Sequence, residues 1–178
     1  MLELLRLRRS VRSYTGVGID SETIAGLKEV VLRSPSSRSI NPWEFIFVQN
    51  KSTLQQLSLS KEHGSSFLKD AALGAVICAD ESKSDVWVED CSICAILLQM
   101  EAEARGLGSC WIQIRNRMKD RSTTSEEYIR GVLSVPVHLR IDSIISIGHP
   151  AESKPPHSRQ SLSWDKCHDE KWCNQKRG

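Results

Sequence analysis

Residues 85–105 read DVWVEDCSICAILLQMEAEAR, which is the longest helical pattern in the chain. Apolar side chains recur there at steps of three and four residues, which predicts an α-helix: Val88, Cys91, Ala95, Leu98 and Ala102. From mid-length onward, further apolar residues widen this surface to most of the circumference: Ile93, Ile96, Leu97 and Met100. Such a helix needs burial on nearly every side. A small domain rarely provides that alone, so the sequence predicts a partner subunit against this helix.

On both sides of this helix, predicted helices and strands alternate. Asp20 is a good helix cap, and Pro35 ends the helix that follows it. The continuous apolar run at residues 72–79 predicts a strand that is buried on both faces. The full set comprises helices at 21–33, 52–59 and 125–133 and strands at 44–49, 72–79, 109–114 and 141–147. These elements do not form regular βαβ units, and no GxGxxG follows a strand, so a Rossmann dinucleotide site is not supported.

The composition is that of an ordinary globular domain. The 178 residues suffice for one core, and we expect one domain over residues 1–160 and a polar tail over residues 161–178. With 24 basic and 22 acidic residues, the net charge of +2 is too even to indicate nucleic-acid binding. No apolar run approaches the ~20 residues of a membrane span, and the N-terminus lacks a signal-peptide pattern. We therefore expect a cytoplasmic protein that binds neither nucleic acid nor membranes.

Six cysteines are present, and disulfides are not expected in a chain of this type. Cys91 and Cys94 form a CxxC in the middle of the long helical pattern. Zinc and redox CxxC pairs usually sit on a turn or at a helix start, so core packing is the favoured interpretation. A metal site that combines this pair with Cys167 and Cys173 is the alternative, and we predict no metal.

Four clusters of residues carry groups suited to a bound ligand. Arg8, Arg9, Ser10 and Arg12 offer guanidinium forks that suit phosphate oxygens, although a solvated basic face is the plain alternative. The other three are a polar loop between two prolines, a turn with two glycines that allows close backbone approach, and a turn after the last strand: residues 35–43, 106–113 and 148–152.

Catalytic acid–base residues are not evident in this sequence. We expect Asp85, Glu89 and Asp90 to form a solvated helix start, and no Ser/His/Asp set or paired carboxylates stand out. This absence fits chemistry that is carried by a cofactor, for which the protein supplies binding, orientation and electrostatics.

In their order and spacing, the four clusters resemble the nitroreductase family. Its members typically open with Arg-Arg-Ser-x-Arg-x-aromatic and continue with Pro-Ser-x-x-Asn-x-Gln-Pro-Trp, Leu-Gly-Leu-Gly-Ser-x-Trp-Ile and Ile-Gly-x-Pro-Ala-Glu. The matching residues are 8–14, 35–43, 106–112 and 147–152, with a later basic residue at Arg159. Two positions depart from the pattern, because Ser39 stands where the family usually has Asn and Asn41 where it usually has Gln.

The resemblance implies an α+β fold with a mixed, mostly antiparallel sheet flanked by helices, in an intertwined homodimer that binds FMN between its subunits. The implied cofactor-binding residues of one subunit are Arg8, Arg9, Ser10 and Arg159 at the phosphate and ribityl end, Arg12 at the pyrimidine edge, and Trp111, Ile112 and Gln113 at the central ring, with Ile112 and Gln113 presenting backbone groups. The other subunit would contribute Pro35, Ser36, Ser37, Arg38 and Ser39.

The resemblance also implies an activity, which is the reduction of small-molecule acceptors such as nitro compounds or quinones. It would be a two-electron ping-pong reaction on the flavin, driven by NADH or NADPH. Two alternatives remain open at this point. One is a specialised flavoprotein of the same fold with another donor or substrate, and the other is a non-enzymatic flavin-binding or regulatory domain.

Overall fold

The structure is a computed structural model that describes residues 1–172, and a four-stranded sheet lies at its centre. The strands β1 (Trp43–Val48), β2 (Leu73–Asp80), β3 (Gly108–Gln113) and β4 (Leu139–Gly148) are antiparallel, in the order β1-β2-β4-β3. A parallel bridge joins Ser10 to Ser109 at one edge. All of β2 is buried, as its continuous apolar sequence predicted. The predicted α+β class with a mostly antiparallel sheet is confirmed.

Helices cover both faces of the sheet and give it two cores. Helices α2 (Ser21–Leu32) and α4 (Trp87–Ala104) pack on one face, where Leu27 and Leu98 are fully buried. Helices α3 (Lys51–Leu57) and α5 (Ser125–Leu133) pack on the other face. The predicted bounds of these helices agree with the structure to within about two residues. The predicted cap of α2 is confirmed, because the Asp20 side chain accepts a hydrogen bond of 2.8 Å from the Thr23 backbone.

Helix α4 is buried along most of its surface but not all of it. Cys91 and Cys94 are fully buried and free, so the core-packing interpretation of the CxxC is confirmed. Ile93 and Ile96 are still 38% and 40% exposed in the single chain. The short first helix, α1 (Leu2–Leu7), has no buried residue. The chain therefore presents apolar side chains on α1 and α4 that its own fold does not cover.

The chain after β4 continues as an exposed arm with two short 3-10 turns, Arg159–Ser161 and Trp164–Lys166. Over residues 1–172 no three His, Cys, Asp or Glu side chains are grouped to hold a metal, and Cys173 lies outside the described residues. Over the same part of the chain, no helix combines the length and apolar character that a membrane crossing requires.

Candidate cofactor-binding site

The N-terminal basic run is fastened to the start of β3. The Val11 backbone N–H donates a hydrogen bond of 3.0 Å to the Ser109 carbonyl, beside the bridge from Ser10 to Ser109. This approach is close enough to require a glycine, since a Cβ on Gly108 would lie 2.8 Å from the Val11 side chain. The first and third clusters of the sequence therefore meet at this point.

The turn after β4 joins the same place. The Arg12 backbone N–H donates to the Glu152 carboxylate at 2.5 Å, and the Ala151 N–H donates to the Ser13 carbonyl at 2.9 Å. The Lys154 ammonium group donates to the Ser10 carbonyl at 2.7 Å. Three of the four clusters thus converge. Lys154 is a participant that the sequence analysis missed, and its only signal was its place two residues after Glu152.

Lys154 pairs with the Glu152 carboxylate at 2.9 Å, but the arginines of this cluster are unpaired in the described part of the chain. Over residues 1–172, Arg8, Arg9 and Arg12 form no ion pair with a carboxylate. The Arg9 guanidinium donates to the Pro155 carbonyl, and that of Arg12 lies 5.9 Å from the centre of the Phe67 ring. Guanidiniums that are not fully buried and lack a carboxylate partner suit the binding of a phosphate group.

The positive charge extends to a buried thiol beside these arginines. Cys110 is only 2% exposed. Burial raises the pKa of the Cys110 thiol, and the positive charges of Arg12 and Lys154 and a hydrogen bond with Ser10 partly offset this. The start of β3 is therefore a cationic region in which no carboxylate of residues 1–172 forms an ion pair with the three arginines.

Strand β3 is an edge strand, so alternate peptide groups along it face away from the sheet. The Ile114 N–H donates to the Asp142 carbonyl of β4 at 3.1 Å, whereas the Ser109 carbonyl faces outward to Val11. By this alternation the peptide groups of Trp111 and Gln113 face outward, while those of Ile112 face β4. From the resemblance, we expect Ile112 and Gln113 to present backbone groups to the ligand. In the structure the outward backbone groups are those of Trp111 and Gln113, and the Ile112 side chain is buried.

The side chains of this strand end are held in place. The Trp111 indole N–H donates to the Gln113 amide oxygen at 3.0 Å, and the Gln113 amide nitrogen donates to the Arg115 carbonyl at 3.1 Å. The Gln113 side chain is thereby occupied within the protein. The backbone groups of Gln113 remain available at the open edge of β3.

The polar loop of residues 35–43 is anchored by a buried carboxylate. Asp90 is 2% exposed and accepts hydrogen bonds from the Ser37 backbone at 2.8 Å and the Ser84 hydroxyl at 3.1 Å. The expected solvated helix start is therefore wrong for Asp90, because tertiary packing covers it. Arg38, Ser39 and Asn41 all have left-handed backbone angles, with φ of 53°, 54° and 52°. Such residues cost about 1–2 kcal/mol each and persist where surrounding contacts hold them.

Within one chain, this loop does not meet the basic run. The loop binds Asp90 near the start of α4, whereas Arg8 lies by the end of α4, where its charge partly offsets the rise that burial causes in the pKa of Glu103. At 1.5 Å per residue, Asp90 and Glu103 are about 20 Å apart along the helix. The two predicted halves of the site are thus at opposite ends of α4.

Arg159 is engaged within the arm in this chain. Its guanidinium lies 5.4 Å from the centre of the Trp164 ring, and its carbonyl accepts a hydrogen bond of 3.0 Å from the Trp164 indole. Together with α1, this part of the arm lines a groove of about 670 Å³. The structure therefore brings the basic run to the edge of β3, whereas Arg159 contacts Trp164 in the arm and the loop of residues 35–39 is held near the start of α4.

Comparisons with known proteins identify the family of the chain. The model of the Nitroreductase family matches residues 5–62 and 52–149. An FMN-dependent nitroreductase from Clostridium difficile R20291 has 42% sequence identity and a TM-score of 0.95, over 97% of this chain and 100% of that one. A putative NADH dehydrogenase/NAD(P)H nitroreductase from Methanothermobacter thermautotrophicus is 33% identical over 175 residues, which are 97% of this chain and 87% of that protein. The chain therefore belongs to the nitroreductase family.

Proposed function

We propose that the chain is an FMN-dependent oxidoreductase that transfers two electrons from NADH or NADPH to a small organic acceptor, such as a nitro compound or a quinone. The observation that carries this proposal is the row of groups along the open edge of β3. It begins with the guanidiniums of Arg8, Arg9 and Arg12, which pair with no carboxylate of residues 1–172, and it ends with the outward peptide groups of Trp111 and Gln113.

These residues fit FMN in their positive charge and in their order along the strand. Arg8, Arg9 and Ser10 would hold the phosphate and ribityl end, and the outward peptide groups would contact the ring system about 13 Å further along the strand. When bound, FMN supplies the redox chemistry by accepting a hydride and passing on two electrons. Arg12 would lie near the pyrimidine edge, where a cation favours the reduced, negatively charged form. The similarity to a protein described as FMN-dependent supports this assignment.

A second copy of the chain would complete the site. The exposed Ile93 and Ile96 indicate a contact surface for a partner, and the loop held by Asp90 lies near the start of α4, whereas the basic run lies near its end. In a homodimer, Pro35, Ser36, Ser37, Arg38 and Ser39 of one subunit would reach the flavin that is held by the arginines of the other. Arg159 would join the phosphate end through a rearrangement of the arm.

The visible spectrum of the purified protein, before and after anaerobic NADH, tests the proposal. We expect flavin bands that bleach with NADH, and we expect Arg8→Gln to lose FMN while Lys51→Gln, an exposed charge change at the start of α3, retains it. Colourless protein that FMN does not reconstitute would contradict the cofactor assignment. Flavin bands that persist with both NADH and NADPH would contradict the donor and favour a specialised member of the family.

Charged substitutions on the exposed face of α4 test whether the protein forms the dimer. Ile93→Lys combined with Ile96→Lys introduces two charges on side chains that are already 38% and 40% exposed, so the subunit fold should survive. We expect sedimentation to show a monomer that has lost FMN. A folded monomer that binds FMN with unchanged affinity would refute a site shared between subunits.

A further inference from the structure

The guanidinium of Arg12 lies beside an aromatic ring from a distant part of the chain. It is 5.9 Å from the centre of the Phe67 ring, and over residues 1–172 it pairs with no carboxylate. An aromatic face attracts a guanidinium within about 6 Å of its centre, because the face carries partial negative charge. Phe67 lies outside the four clusters that match the family pattern, so the tertiary structure adds this contact to the basic run.

The fold holds the Phe67 ring in place. Phe67 lies in the short 3-10 helix Ser66–Asp70, where the Leu68 N–H donates a hydrogen bond of 3.0 Å to the Ser65 carbonyl. The Ser65 hydroxyl donates to the Ser58 carbonyl at 2.8 Å, which ties this segment to the end of α3. The ring is partly buried and packs against the same core as the fully buried Leu68. Its position is therefore set by packing and by the backbone of its own segment.

The backbone of Arg12 is fastened to the sheet. Its N–H donates to the Glu152 carboxylate at 2.5 Å, and the preceding Val11 N–H donates to the Ser109 carbonyl of β3 at 3.0 Å. Arg12 is exposed, and an exposed arginine that is anchored at its backbone alone samples many rotamers. The Phe67 ring supplies a second anchor at the guanidinium. The Arg12 charge is thereby restricted to one place beside the edge of β3.

We propose that Phe67 is a positioning residue, which holds the charge of Arg12 at the pyrimidine edge of FMN and so favours the reduced flavin. This inference rests on the proposed function, which places Arg12 at that edge. A nearby cation stabilises the reduced form more than the oxidised form, because the reduced form carries the negative charge. A guanidinium that swings into solvent is screened by water and salt, and its effect on the flavin is weaker. Phe67 acts through Arg12 and exchanges no proton or electron itself.

Matched substitutions at two aromatic rings test the proposal. Phe67→Leu removes the aromatic face and keeps an apolar side chain for the core, whereas Phe67→Tyr keeps the face. The control is Phe47→Leu, because Phe47 is also partly buried and has the Lys28 ammonium group 5.6 Å from its ring centre. Phe47 lies on β1, at the opposite edge of the sheet from β3. The control therefore removes the same kind of contact at a place remote from the basic run.

The first measurement is the midpoint potential of the bound FMN, in an anaerobic titration of each protein with a reference dye. We expect Phe67→Leu to weaken the reduced flavin relative to the oxidised flavin about fivefold, the scale of one exposed cation–π contact. This corresponds to a potential about 20 mV lower for two electrons. Phe67→Tyr should restore the potential, and Phe47→Leu should leave it unchanged. In an Arg12→Gln background Phe67→Leu should have no further effect, because the charge that the ring positions is gone.

The second measurement needs no redox chemistry. NMR of the arginine side chains, with the Arg12 signal assigned by its loss in Arg12→Gln, reports the ring current of Phe67. We expect the Arg12 signal of the unaltered protein to be displaced from the value of a free arginine. It should return toward that value in Phe67→Leu and remain displaced in Phe47→Leu.

Two results would overturn the proposal and leave the proposed function intact. One is an Arg12 signal without ring-current displacement in the unaltered protein, which also decides the matter if Phe67→Leu does not fold. The other is FMN that stays bound in Phe67→Leu with an unchanged potential, or a potential that falls equally with and without Arg12. Protein that binds no FMN in any form would instead contradict the proposed function itself, and the role of Phe67 with it.

Discussion

Removing the Asp90 carboxylate should release the polar loop of residues 35–43. The carboxylate is buried and accepts hydrogen bonds from the Ser37 N–H at 2.8 Å and the Ser84 hydroxyl at 3.1 Å. A hydrogen bond to a charged group contributes roughly 1.5–3 kcal/mol, and its loss leaves a donor unpaired. We therefore expect Asp90→Ala to lower the free energy of unfolding by about 3 kcal/mol.

The same change should also lower the affinity for FMN. The loop holds Arg38, Ser39 and Asn41 in left-handed conformations, at φ of 53°, 54° and 52°, and those of Arg38 and Ser39 cost about 1–2 kcal/mol each. Without its anchor the loop should leave these conformations. Flavin binding would then have to order the loop again, which reduces the free energy of binding. Asp90→Asn keeps an oxygen acceptor for Ser37, and we expect a loss of only about 1 kcal/mol.

Urea unfolding at a fixed protein concentration and FMN titration by fluorescence quenching measure the two effects. The matched control is Asp85→Asn, because Asp85 pairs with Arg38 in the same loop through a side chain that is 81% exposed. Such a surface pair contributes about 0–1 kcal/mol. If Asp90→Ala cost no more than the Asp85 control, or if it left FMN affinity unchanged, the assignment of Asp90 as the anchor of the loop would be refuted.

Four further outcomes are expected. Gly108→Ala should destabilise the protein by about 2 kcal/mol in urea unfolding, because its Cβ would lie 2.8 Å from the Val11 side chain; an unchanged midpoint would show that Val11 moves freely. Ser39→Asn should raise the unfolding midpoint slightly, since Asn tolerates the left-handed φ of 54° better than Ser, and a lower midpoint would argue against strain there. Burial raises the pKa of the Cys78 thiol to about 12 and that of the Cys94 thiol to about 11. Both thiols should therefore stay unmodified at pH 8 until the protein unfolds, whereas the exposed Cys167 should react, and mass mapping after thiol labelling measures this. Burial also raises the pKa of Asp142 above 3.8, so its ionisation makes the folded protein less stable as pH rises through the raised pKa. The gain in thermal stability of Asp142→Asn over the unaltered protein should therefore be larger at pH 8 than at or below pH 3.8, and an equal gain at both pH values would contradict this.

Local sequence patterns determined the elements of this protein. The cap at Asp20, the fully apolar strand at residues 72–79 and the three-and-four spacing of residues 85–105 are interactions between near neighbours, and all three predictions hold in the structure. The close contact of the basic run with the start of β3 was not a local property. It appears only when β3 takes an outer position beside β4.

Sequence alone therefore determined the α+β class, the near-complete apolar surface of α4 and the residues of the four clusters. Only the tertiary structure decided that Trp111 and Gln113, instead of Ile112, turn their peptide groups outward, because that depends on which strand pairs with β3. It likewise decided that Asp90 is buried and accepts a hydrogen bond from the loop of residues 35–43. Burial and charge proximity arise from contacts between segments far apart in the chain, and hydrophobic periodicity carries no information about them.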